Sequence, residues 1–96
     1  MKKNAIEITF KYKPGPFGEP GRVCGVIYVV IDGEQFRNGF LPARPMDWND
    51  PELPRFVSMA ATALLVWADD ISKNPSRRAE ILKRAAEANA GDNTKP

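Results

Sequence analysis

Few residues in this chain are of types that do covalent chemistry, and their spacing sorts them quickly. There is no histidine, so the commonest general base and the commonest metal ligand are both missing. The single cysteine, Cys24, lies in the apolar run RVCGVIYVVI. It lacks the neighbours that stabilise a thiolate, one cysteine makes no metal site, and the residue reads as a small buried hydrophobe. Asp69 and Asp70 are adjacent, and adjacent side chains on a helix diverge by about 100°, which makes a poor acid–base pair. No GxGxxG or P-loop sequence is present. The stretch Pro14–Gly21, PGPFGEPG, has the glycines of a phosphate cradle, but its prolines remove the N–H donors such a cradle needs. The expectation is a protein without turnover, metal or cofactor.

Recognition is the chemistry that remains. Phe17, Tyr28, Arg37, Arg44 and Trp48 are aromatic and guanidinium side chains of the kind that anchor protein interfaces, and they are the candidate partner-binding residues. Met46 suits the same role if exposed. A second set, Lys11, Lys13, Arg22, Arg77, Arg78, Lys83 and Arg84, would serve a nucleic-acid interface on a basic sheet face or on the last helix. The formal net charge of +2 gives no bulk electrostatic argument for nucleic acid, and interspersed acids weigh against it.

The elements that must position these groups can be read in order. In Ala5 to Lys13, Ile6, Ile8, Phe10 and Tyr12 alternate with Glu7, Thr9, Lys11 and Lys13, the pattern of a half-buried strand. Pro14–Gly21 follows as a loop with Phe17 at its tip. An apolar residue there either folds back as a plug or meets a partner, with the plug preferred. Arg22 to Ile31 is a strand apolar at both parities. Asp32-Gly33 supplies the positive φ angles of a type I′ hairpin turn, so Glu34 to Leu41 returns as a third strand. Counting back from a two-residue turn pairs Ile31 with Glu34, Val29 with Phe36, Ile27 with Asn38 and Gly25 with Phe40 on the face assigned to a helix. The far face pairs Val30 with Gln35, Tyr28 with Arg37, Val26 with Gly39 and Cys24 with Leu41. That face is covered by the last helix, by a second copy of the chain, or by a foreign partner.

Pro42 to Asp50 is a second Pro-rich connector, in which Trp48 reads more readily as a seal on the core than as an exposed anchor. Asp50-Pro51-Glu52 has the order of an N-cap, a first helical position and a first-turn acid. Pro54 conflicts with that start unless a short turn over residues 51–53 precedes the main helix. The run Phe56 to Ala68, FVSMAATALLVWA, is apolar at three- and four-residue steps. Met59, Ala63 and Val66 widen the stripe, which implies cover on more than one side. The run is shorter than the roughly 20 residues a bilayer requires, and Pro75 ends the helix near Lys73.

A second amphipathic helix is expected from Pro75 to Asn89, capped by Asn74 and ended by Gly91, with a thin apolar face of Ile81, Leu82, Ala85 and Ala88. Asp69-Asp70 near one helix C-terminus and Arg77-Arg78 near the next N-terminus each oppose the local dipole. They either face one another across the Asn74-Pro75 turn or leave the arginines free as a phosphate clamp.

Together these readings give an α+β fold: a three-stranded antiparallel meander, a long buried helix and a second amphipathic helix. They form a single domain over residues 1–90 with a disordered tail over 91–96. MKKNAIEITF lacks the continuous apolar segment of a signal peptide, and a cytoplasmic setting is expected. The functional expectation is a protein-binding module that occludes or bridges a larger macromolecule, either as a monomer or as a homodimer through the sheet face. By analogy of scale alone, small phage or mobile-element inhibitors share its size and lack of catalytic residues. The alternative is a nucleic-acid-binding domain.

Overall fold

The structure is a computed structural model; it describes residues 4–93, with side-chain surroundings through residue 87. Three strands, β1 (Ala5–Lys13), β2 (Arg22–Ile31) and β3 (Glu34–Phe40), form an antiparallel sheet in the order β1-β2-β3. Two helices follow, α1 (Leu53–Lys73) and α2 (Pro75–Asn93), giving the expected α+β fold. The chain divides into two compact units at Val66–Trp67, within α1.

In the first unit the hairpin turn sets the register. Asp32 and Gly33 have φ of 52° and 84°, as a type I′ turn requires. The ladder pairs Ile31 with Glu34, Val29 with Phe36, Ile27 with Asn38 and Gly25 with Phe40. On the other side of β2, Ile6 lies opposite Val29, Ile8 opposite Ile27, Phe10 opposite Gly25 and Tyr12 opposite Val23. One face of the sheet therefore collects the apolar side chains of all three strands.

β3 ends one residue before the expected Leu41, which precedes Pro42, has left the ladder and is exposed. The chain then returns alongside β2: the Val23 N–H donates to the Met46 carbonyl at 2.8 Å, within an isolated parallel bridge between Arg22 and Met46.

Val23, Ile27, Val29 and Phe36 are buried on the apolar face, and Phe56, Ala60 and Leu64 are buried at four-residue steps along α1. Phe56 meets Phe10 edge-on at 6.3 Å between ring centroids and lies tilted against Phe40 at 6.0 Å. Gly25 permits the close approach of helix and sheet. A Cβ there would fall 2.9 Å from Phe10 Cε1 and 3.4 Å from Leu64 Cδ1. The expected cover on more than one side of α1 is not found among the described residues: Met59, Ala63 and Val66 are exposed. A single sheet reaches only one stripe of a helix, so the widened part of the pattern stays in solvent.

The conflict at the start of α1 is resolved by a turn at residues 51–52, after which the helix begins at Leu53. Pro54 is then the second helical residue, where an N–H has no intrahelical acceptor to lose. Asp50 organises the entry, accepting from the Glu52 N–H at 2.9 Å through Oδ1 and from the Leu53 N–H at 3.0 Å through its carbonyl.

In the second unit Ala68 and Ile71 are buried, and Asn74 caps α2 by accepting from the Arg77 N–H at 3.2 Å. The opposed charges find partners. Arg77 lies 3.6 Å from Asp70, and Lys73 pairs with Asp69 at 3.1 Å. Arg78 Nη1 donates to the Ile71 and Ser72 carbonyls at 2.8 and 2.9 Å, satisfying acceptors that the end of α1 leaves unpaired. Glu80 and Arg84 pair at 2.7 Å across one turn. Gly91 does not terminate α2, which continues to Asn93; a glycine lowers helix stability by about 1 kcal/mol but ends a helix only where the backbone turns left-handed. Residues 94–96 of the expected disordered tail lie outside the described residues. Among those described, no helix is long and apolar enough to cross a membrane.

Candidate functional site

The Pro-rich connector between β3 and α1 and the first turns of that helix enclose an open groove of about 510 Å³. Its floor is the buried Met46 and Phe56 with the half-buried Phe40. Leu41 and Met59, 63% and 53% exposed, form its lips. Pro42 and Ala43 complete the apolar wall, and Arg44, Glu52 and Arg55 supply the polar rim. The groove lies where the chain leaves β3 at Pro42 and Met46 is pinned to β2, with Leu41, Pro42, Ala43 and Arg44 along one side of it.

Among the described residues the rim has one cation held in ion pairs, Arg44, and one without an ion pair, Arg55. Arg44 holds Asp50 with both nitrogens, Nη1 to Oδ2 at 2.6 Å and Nη2 to Oδ1 at 2.8 Å, and donates from Nη2 to Glu52 Oε2 at 3.0 Å. Fork-on-carboxylate geometry of this kind is directional and locks the connector to the entry of α1. The hydrogen bond from Arg44, followed by that from the Glu52 backbone N–H, holds the Asp50 carboxyl below its ordinary value of 3.8, and the same pairing raises the Arg44 guanidinium further. Because the folded value lies below the unfolded one, the stabilisation is complete above 3.8 and fades as the pH falls through the folded value. Carboxyl-detected NMR titration should therefore place the Asp50 midpoint below 3.8, and Arg44→Gln should bring it back up; an unchanged midpoint in the variant would rule out this pairing in solution. Arg55 has no ion-pair partner among the described residues.

The residues singled out from the sequence are dispersed. Phe17 is not a plug: it is fully exposed, with φ 52° and ψ 38°, at the centre of a 3-10 turn over Pro16–Gly18. A plug needs its ring covered by the core, and this ring is wholly in solvent. Trp48 does not seal the core either, being 54% exposed. Met46, considered an anchor, is buried and cannot serve as one. Tyr28 and Arg37 do come together, the guanidinium lying 5.6 Å from the ring centroid on the far face of the sheet, where Val26 and Val30 are half-buried. Lys11 lies opposite Cys24 and Lys13 opposite Arg22 on that face. Arg22 also reaches round to donate to the Pro42 carbonyl at 3.1 Å, tying the two Pro-rich loops to one end of the sheet. Arg77 and Arg78 are engaged by Asp70 and by α1 carbonyls, which leaves them poorly placed for a phosphate clamp. Lys83 and Arg84 stand exposed on α2.

Sequence reasoning missed Leu41, Arg55 and Met59 as a set. The signal was present in part, because Met59 widened the apolar stripe of the helix beyond what one sheet can cover. Comparison with protein-family models, with curated proteins and with solved structures finds no match to this chain.

Proposed function

We propose that the protein is a non-enzymatic binding module that seats an apolar side chain of a partner protein in the groove beside Leu41 and Met59 and so occludes that part of the partner. The carrying observation is the groove itself: an apolar floor with exposed apolar lips and a charged rim is the arrangement that receives an interface anchor. The prolines of the connector and the Arg44–Asp50 pair pre-organise its walls, which lowers the entropy lost on binding. Arg55, without an ion pair among the described residues, favours a carboxylate next to the anchor. Phe17 and Trp48 add exposed aromatic area outside the groove.

Selection of peptides on the purified protein from a displayed random library tests the reading. Enriched sequences should share a bulky apolar residue close to an acidic one. Their binding should be lost in Met59→Glu and kept in Tyr28→Ala, which alters only the far sheet face. Peptides that bind Met59→Glu as well as the wild type, with the fold intact by circular dichroism, would exclude the groove. Strong binding to random DNA that falls steeply with salt would instead favour the nucleic-acid interface of Lys11, Lys13 and Arg22.

A further inference from the structure

β1 is an edge strand, and its outward side can be derived from the hairpin. In a two-residue hairpin the residues flanking the turn form a hydrogen-bonded pair, so Ile31, Val29, Ile27 and Gly25 direct their backbone groups toward β3. The Val23 N–H, bonded to Met46 on that same side, agrees with this phase. The even-numbered residues of β2 then face β1 and bond Ala5, Glu7, Thr9, Lys11 and Lys13. Ile6, Ile8, Phe10 and Tyr12 are left with N–H and C=O groups directed away from the sheet, a row unpaired among the described residues that invites another strand.

We infer that two copies of the chain join antiparallel through this edge, about a two-fold axis at Thr9, to make one continuous six-stranded sheet. The register uses the whole strand and brings together only residues of matching phase. Ile8 meets Phe10 of the second copy and Ile6 meets Tyr12, each in a hydrogen-bonding pair, while Thr9 meets its own equivalent in a non-hydrogen-bonded pair. On the opposite face Glu7 meets Lys11, twice by symmetry.

Two features favour a second copy over a foreign strand. Ile6 and Tyr12, at opposite ends of β1, are 56% and 44% exposed, and the two-fold axis sets each against the other. Tyr12 is held ready for that contact by its hydroxyl, which accepts from the Gly21 N–H at 3.0 Å. Lysines on an edge strand ordinarily repel an incoming strand; here the strand carries its own answering charge at the symmetric position. The interface is separate from the groove and stands whether or not the groove binds a partner.

The expected result is a concentration-dependent mass rising from 10.7 kDa to twice that value in sedimentation equilibrium. Glu7→Lys sets lysine against Lys11 in both pairs, and Lys11→Glu sets glutamate against Glu7. Each variant alone should raise the dimer dissociation constant at least about tenfold, because two attractive pairs become repulsive. An equimolar mixture of the two variants restores opposite charges at both positions and should dimerise like the wild type. A wild type that stays at 10.7 kDa up to millimolar concentration overturns the inference. So does a dimer insensitive to both variants, or one whose loss is not rescued by mixing.

Discussion

Replacing Phe56 by alanine should lower the free energy of unfolding by about 3–5 kcal/mol, the range for removing a buried aromatic ring. The ring is 5% exposed and lies between Phe10 of β1 and Phe40 of β3, so it ties both outer strands to the helix. Edge-on and tilted aromatic contacts add about 0.5–1.5 kcal/mol each beyond area burial. Phe56 also floors the groove, and the space left by alanine would open to solvent rather than stay as a sealed void. Water entry should hold the loss toward the lower end of the range. Urea denaturation with an unchanged m-value would measure it. A loss below about 1 kcal/mol would show that α1 is held to the sheet by other contacts.

Leu64→Ala should cost about 2–5 kcal/mol, and here the upper part of the range is expected. Leu64 is 1% exposed and approaches the one position of β2 that has no side chain, Gly25. The void would lie against the strand backbone at Gly25, which cannot relax into it without breaking the ladder. The companion change Gly25→Ala is informative because its Cβ would crowd both Phe10 and Leu64. Combined with Leu64→Ala it should cost less than the sum of the two single changes, since the truncated side chain relieves one of the two contacts. A double variant that is strictly additive would mean that helix and strand do not touch at this point.

The sheet register was legible because it depends on two local facts, the Asp32-Gly33 turn and the period-two alternation of β1. Both act over neighbouring residues and leave no freedom once the turn type is set. The cap at Asn74 and the end of α1 before Pro75 were readable for the same reason. What could not be read was the reach of the tertiary cover. Met59, Ala63 and Val66 have the spacing of a buried face, yet periodicity reports only that a face is apolar, not how many layers lie against it. Phe17 failed similarly, because whether a loop aromatic folds back depends on backbone angles that proline and glycine permit in both directions. The groove was hidden because its floor comes from β3, the connector and α1 at once, and it required the departure of the chain from β3 at Phe40, one residue before the alternation ends. Arg44 was visible as a candidate anchor, but its partners Asp50 and Glu52 were read only as helix-start residues.

The bridge that pins Met46 to β2 also bears on aggregation. The window Val23–Ile31, VCGVIYVVI, is rich in β-branched residues and free of charge and proline, the composition that stacks most readily into cross-β assemblies. As the central strand it is paired with β1 as far as Val30 and with β3 from Gly25 to Ile31. The bridge closes the stretch that β3 leaves bare, since the Val23 N–H already has the Met46 carbonyl as its acceptor. The segment best suited to template a fibril is thus the one whose backbone is most completely occupied, and it becomes available only when the connector or an outer strand detaches.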